Sequence, residues 1–239
     1  MEIFNSQGKN ITKSGVLVQN KSIGSLIVSL SLDVEALTTE QIKVEVEKLT
    51  GNEEITKGFM SLADFIYMTT FNADAITSDA NFKTTAQCEI CEDGSIELGD
   101  KDVIKIELTG LKTAETYVIN GIEEPQTSRK TLSFSNKSMG SDDKSKVFDV
   151  VDCDIVVLDN SEDIEEIAYT YANKVVVKYT LHELRVLSRA IDPVAYIKQD
   201  GTVKASFANK IQLPLFGVDS IEVRKVQGSI VNLLVRYEA

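Results

Sequence analysis

Asn20-Lys21-Ser22-Ile23-Gly24-Ser25 returns as Asn136-Lys137-Ser138-Met139-Gly140-Ser141, with one conservative change in six positions. The copies lie almost half of the 239 residues apart, which is the spacing of one domain written twice. A repeat of that period constrains the fold more than local propensity does, because each copy must form the same unit. Further matches keep the same order. Val16–Val18 answers Leu132–Phe134, Leu26–Leu32 answers Val147–Leu158, and Thr39-Glu40-Gln41-Ile42 answers Asp163-Ile164. Ser61-Leu62-Ala63-Asp64 corresponds to Thr180-Leu181-His182-Glu183. Ile96-Glu97-Leu98 then corresponds to Ile211-Gln212-Leu213, and Ile104-Lys105-Ile106 to Ile221-Glu222-Val223. The chain reads as two tandem copies of one domain, with the two hexapeptides in equivalent places.

Most punctuated runs alternate apolar with polar residues, the pattern of half-buried strands. In the first half these are 16–18, 26–32, 42–46, 86–90, 103–108 and 116–119. In the second they are 132–134, 147–158, 164–171, 174–178, 203–207, 210–213, 221–226 and 230–237. Asp93-Gly94, Asn120-Gly121 and Asp200-Gly201 are expected turns, since glycine supplies the positive φ that tight turns need. Each half also predicts one helix in the same place. Thr180 and Glu183 have capping-box spacing, Leu181, Leu184, Leu187 and Ile191 mark one face, and Asp192-Pro193 stops the helix. Ser61 is the matching cap, with Leu62, Phe65 and Ile66 starting the apolar face.

The boundary is expected at Glu123–Ser128, where polarity rises around Pro125, giving domains 1–125 and 126–239. Each half then holds about eight strands and one helix, which predicts an all-β chain of two eight-stranded jelly-roll sandwiches, each with an inserted α-helix. An immunoglobulin-like sandwich is the alternative, but it does not ordinarily insert a helix there.

The chain carries few groups suited to chemistry. The one histidine, His182, sits in a helix first turn, and no nucleophile elbow, phosphate loop or zinc-protease motif is present. Cys88-Glu89-Ile90-Cys91 has metal-pair spacing and, with Cys153 and His182, makes four donors on paper. Its place in a strand argues instead for separate, reduced thiols. The acidic clusters Asp33/Glu35, Asp142/Asp143 and Asp159/Glu162/Asp163 lack calcium-loop spacing and read as solvated loops. No catalytic, cofactor or metal residue is assigned, and the chain is expected not to be an enzyme.

A net charge of −12 speaks against direct wrapping of nucleic acid, which needs cations against phosphate. Residues 1–23 differ, with Lys9, Lys13 and Lys21 against Glu2 alone. They read as an N-terminal arm, either solvated or reaching toward an anionic surface. The start lacks a signal-peptide pattern and no apolar run approaches the roughly 20 residues that span a bilayer. Synthesis in a cytoplasm is the expectation.

Two jelly-roll-sized halves with matching helices resemble the double-jelly-roll major capsid proteins of tailless, membrane-containing icosahedral phages, of corticovirus or flavobacterial-phage type. Thr38-Thr39-Glu40-Gln41-Ile42 and Ser61-Leu62-Ala63-Asp64-Phe65-Ile66 are the segments most similar to such a coat. The resemblance implies a bacteriophage virion protein, made in the host cytoplasm. It further implies homotrimeric, pseudo-hexameric capsomers, contacts with neighbouring capsomers and with penton or minor capsid proteins, and an internal lipid membrane touched by the N-terminal segment. The duplication has its own geometric rationale: three copies of a two-domain chain present six similar edges around a closed ring. Two alternatives stand beside it, a two-domain β-sandwich binding module (adhesin or carbohydrate binder) and a minor capsid or spike protein. The missing export signal and the absence of tryptophan weigh against the binding module.

Overall fold

The computed structural model describes residues 1–70, 76–190, 195–197, 203–205 and 210–238. In the first half the strands are β1 (Glu2–Asn5), β2 (Lys13–Gln19), β3 (Ser25–Leu30), β4 (Gln41–Lys48), β5 (Gly51–Glu54), β6 (Met60–Ser61) and β7 (Ile76–Thr77). They continue with β8 (Thr84–Glu89), β9 (Ser95–Ile96), β10 (Val103–Thr109), β11 (Tyr117–Ile122) and β12 (Thr127–Ser128). Helix α1 (Leu62–Thr69) follows β6. The second half holds β13 (Leu132–Met139), β14 (Ser145–Asp149), β15 (Cys153–Asp159), β16 (Ile164–Tyr171), β17 (Val176–Thr180) and α2 (Leu181–Ala190). After α2 come β18 (Ala195–Ile197), β19 (Val203–Ala205), β20 (Lys210–Pro214), β21 (Val218–Lys225) and β22 (Val231–Glu238).

The chain divides into two compact units. One contains residues through Phe134 together with β18 and β19; the other begins at Ser135 and holds the remaining second-half elements. In the first unit, one sheet runs β1-β11-β3-β8-β7-β18-β19 and the other β2-β10-β4-β5, with β6 also on β4. The second unit repeats this with β13-β22-β15-β20 and β14-β21-β16-β17. The first four strands of each order, interleaved in the same sequence order, make each unit an eight-stranded jelly roll, to which the first unit adds β7, β18 and β19 on one sheet and β6 on the other. The helix follows β6, paired to β4, in the first unit and β17, paired to β16, in the second.

Period-2 alternation explains why each sandwich closes. Ile104, Ile106 and Leu108 of β10 face Val46, Val44 and Ile42 of β4 in register, so one face of both strands is wholly aliphatic. Leu26, Val28 and Leu30 of β3 supply the opposing layer, and all nine side chains are buried. In the second unit Val156, Leu158, Ile167, Tyr169, Ile221, Val223, Leu233 and Val235 form the equivalent core. Burying a Val, Leu or Ile side chain contributes about 1.5–3 kcal/mol, so each layer outweighs any single polar contact.

Both helix caps form as the sequence predicts. Ser61 Oγ accepts from the Asp64 amide at 3.4 Å. At Thr180 the box closes both ways: the Glu183 amide donates to Thr180 Oγ1 at 3.5 Å, and the Thr180 amide donates to Glu183 Oε2 at 2.8 Å. Ile191, Asp192, Pro193 and the Asp200-Gly201 turn lie outside the described residues.

Several expectations need correction. The hexapeptides are not equivalent: Asn136–Met139 lies in strand β13, whereas Asn20–Gly24 is the loop between β2 and β3. The true counterpart of β2 is β14, and β13 matches β1 by its place beside the last strand of its sheet. Likewise Ile96 belongs to the small β9–β12 pair, while the counterpart of β20 is β8. Residues 147–158 are two strands, broken where Val151 donates to Asp149 Oδ1 and Asp152 takes φ +63°. Asn120-Gly121 is no turn. It sits mid-strand in β11, where Gly121 admits Ile23 and Ile3, whose methyl carbons would lie 2.9 and 3.0 Å from any added Cβ. Finally, the N-terminal segment is not an arm. Glu2–Asn5 pairs with β11 and Lys13–Gln19 with β10, so residues 1–23 hold two of the eight jelly-roll strands.

Candidate functional site

The groups best suited to chemistry are held in structural roles. Cys88, in β8, is fully buried; that burial pushes its thiol up to about 12, against a smaller opposing effect from the Thr69 hydroxyl. Cys91 points to a different set of partners, with Sγ 3.2 Å from the Lys130 carbonyl oxygen, and burial raises it too. The two thiols of the Cys-x-x-Cys therefore serve separate environments. Cys153 lies in the second unit, its thiol raised to about 11 by burial. All three cysteines are free, and burial raises each thiol above its ordinary value, away from the thiolate form. His182 is exposed in the first turn of α2. Among the described residues no group of three or more His, Cys, Asp or Glu is placed to hold a metal.

The acidic clusters weighed in the sequence are tied locally. Asp143 accepts from the Gly140 amide, Asp159 pairs with Lys210, Glu162 with Arg185, and Asp163 bonds Ser161. Among the described residues the one buried carboxylate is Glu40, at the entrance to β4. Oε2 accepts the Thr38 and Thr39 amides at 2.9 and 3.0 Å, and Oε1 accepts the Tyr117 hydroxyl at 2.8 Å, with Lys112 Nζ at 3.4 Å. Burial alone would raise its pKa; the Tyr117 and amide hydrogen bonds outweigh that and hold it below 4.5. This arrangement fastens β11 to the start of β4 and leaves no lone pair aimed at a substrate.

Each unit has a shallow cleft. In the first, of ≈ 320 Å³, Lys48, Glu97, Asp102, Ser128 and Arg129 line the wall. Lys48 pairs with Glu53, Arg129 with Glu97, and Asp102 accepts the Gly99 amide. In the second, of ≈ 490 Å³, Asp154 is held by Arg236 and Asp219 by Lys174. These contacts tie the loops of each wall together.

What remains distinctive is the architecture and its edges. A search against known structures matches the major capsid protein P2 from bacteriophage PM2, with a TM-score of 0.56 over 94% of this chain and 91% of that one, at 9% identity. This chain has the fold of that capsid protein. The exported protein XepA of PBSX also aligns, over 100% of this chain and 86% of its own at 8% identity, but a TM-score of 0.26 carries no argument. No family model matches the sequence, and no curated protein matches it either.

Within that fold, two strand edges expose apolar side chains. β2 and β14 end their sheets and expose Val16, Val18 and Val147 to solvent. Lys13 and Lys146 lie on the same strands, the usual guard against unregulated edge pairing. In the sequence, apolar alternation along the strands and the apolar stripe of α2 marked the faces expected to be buried. Leu187, counted there in the apolar face of α2, is instead exposed along with Val186. Apolar periodicity reports which residues share a face; it does not report whether the chain itself covers that face.

Proposed function

We propose that this chain is a structural shell protein, a major capsid subunit of an icosahedral bacteriophage that works as a homotrimer of pseudo-hexagonal outline. The observation that carries this reading is the pair of jelly rolls of identical strand order in one chain, aligned with a phage major capsid protein over nearly the full length of both. Two similar domains per chain turn threefold symmetry into six similar edges, and a closed ring is the form homo-oligomers favour. Neighbouring capsomers, and minor or penton proteins at special positions, are the partners such a unit meets. The net charge of −12 fits a shell that does not wrap nucleic acid itself. The internally paired clefts and raised thiols fit a protein without catalysis. Placement in the virion follows from the same reading.

Mass photometry of the purified chain is the direct test, alongside quantification of the chain in particles from its native source. A trimer in solution and a copy number above that of other particle proteins are expected. A chain monomeric at all concentrations and scarce in particles would overturn the capsid reading. A trimer that is scarce in particles would assign it to a minor capsid or spike role.

A further inference from the structure

The two units bury the same elements to different extents. In the first, the strand β5 and the residues after it are covered on their outer side by Thr131 and the opening residues of β13, which lie on the first unit's side of the boundary. Thr131 Oγ1 bonds Glu53, Ser133 Oγ donates to the Glu54 carbonyl at 3.0 Å, and the Phe134 amide donates to the Ile55 carbonyl at 2.7 Å. The Lys57 amide returns a bond to the Phe134 carbonyl at 3.0 Å, and Thr56 bridges Phe134 in parallel. Phe134 then meets Phe65 of α1 edge-to-face, with ring centroids 5.9 Å apart. Six of the eight residues of α1 are buried.

In the second unit β17 occupies the same end of the same sheet. Among the described residues no strand lies on its outer edge. The Tyr171 amide bonds the Val175 carbonyl, and the register continues through Val177↔Tyr169 and Tyr179↔Ile167. Antiparallel alternation therefore turns the backbone groups of Val176 and Lys178 away from β16, toward open space. Val175 and Val176 are 50% and 53% exposed. The helix repeats the contrast position by position. Counting from the equivalent caps Ser61 and Thr180, Tyr67 corresponds to Val186 and Met68 to Leu187. Tyr67 and Met68 are 3% and 1% exposed; Val186 and Leu187 are 53% and 40% exposed.

We infer that the outer edge of β17 and the adjoining Val186/Leu187 face of α2 are the surface that a second copy of this chain covers, in the role that Thr131–Phe134 plays in the first unit. The inference rests on the capsid reading above and names where its subunits meet. The occupant follows from the duplication. The one covering segment is spent on the first unit in every copy, so what another copy brings to β17 is a free strand edge, β2 or β14, each carrying exposed valines. An edge that offers unpaired backbone groups beside exposed valines suits strand addition, in which main-chain bonds supply affinity. It is a one-directional contact, the kind that closes into a ring.

The test is Val176→Asp combined with Leu187→Asp, in the full chain. Both positions are exposed in the single chain, so circular dichroism and the melting temperature should match wild type. The concentration of half-association should rise at least tenfold, and the variant should run as a monomer where wild type runs as a trimer. Phe216→Ser removes an exposed ring, 81% accessible, from a different loop and should leave the trimer intact. As a second measurement, hydrogen exchange of the Val176 and Lys178 amides should slow in the trimer relative to the diluted monomer. Should the double variant misfold, the exchange measurement on wild type decides alone. A wild type that assembles while the folded variant assembles equally well, or while these amides exchange unchanged, overturns this surface and leaves the capsid reading standing. Protection that appears only when a different particle protein is bound assigns the surface to that protein and overturns the inference. A wild type that never associates overturns both.

Discussion

Replacing Glu40 by Gln removes one charge and almost no volume, which makes it a clean probe of the polar tie between β11 and β4. Three donors meet the carboxylate at 2.8–3.0 Å: the Thr38 amide, the Thr39 amide and the Tyr117 hydroxyl. A hydrogen bond to a charged acceptor contributes about 1.5–3 kcal/mol, against about 0.5–1.5 for a neutral one, so each of the three loses about 1 kcal/mol. Lys112, partly solvated at 3.4 Å, adds little. The expected cost is about 3 kcal/mol, at the lower end of what breaking a buried charged contact takes. At roughly 2–4 °C per kcal/mol for a chain of this size, the melting midpoint drops by about 10 °C.

The pH dependence tests the cause as well as the size. Glu40's folded pKa is lowered from 4.5, so its contribution is fully present above that value and is lost as pH falls through the folded pKa. Urea titrations of wild type and Glu40→Gln should therefore differ most at neutral pH. The gap should narrow once the pH drops below 4.5, where the unfolded carboxylate begins to protonate. A gap below about 1 kcal/mol at neutral pH, or one that does not change down to about pH 3.5, would refute the assignment of that stability to the ionised carboxylate.

Two further outcomes follow from the fold. Thr180→Ala removes the hydroxyl that the Glu183 amide meets and should cost about 1 kcal/mol in a thermal or urea melt; an unchanged melt would show that Glu183 alone secures the helix start. Deleting residues 1–12 removes β1 and its pairing with β11, so the product should lose cooperative unfolding in the first unit; a truncated chain that melts like wild type would restore the reading of this segment as an arm.

The strands legible in the sequence were those whose inner faces are regular. Ile42-x-Val44-x-Val46 and Ile104-x-Ile106-x-Leu108 alternate without a break, and they pair with one another in register. Thr180 and Glu183 were legible because a capping box is a local device, settled within one helical turn. The hexapeptide misled for the opposite reason. Asn-Lys-Ser has no strong preference of its own, so pairing with distant strands made Asn136–Ser138 a strand and left Asn20–Ser22 a loop. Glu2–Asn5 is too short to show alternation, and only its partner β11, more than a hundred residues away, makes it a strand. The surface on β17 and α2 was hidden for a related reason: exposed Val176 and Leu187 look in sequence just like buried Val46 and Met68. Exposure is a property of what lies opposite, and periodicity is silent on that.

The segment Thr131–Phe134 has a consequence for anyone who would take the chain apart. It follows the last strand of the first jelly roll's sheets, yet its side chains and amides close over Glu53–Lys57 and α1. A first half cut at residue 125 would keep all eight of its sandwich strands and still expose Ile55, Phe65 and their neighbours to water. The opening of β13 thus serves the first jelly roll as well as its own sheet. Insertions there would shift the Phe134 ring out of its seat, and a gene split at that point would yield a first half prone to clumping.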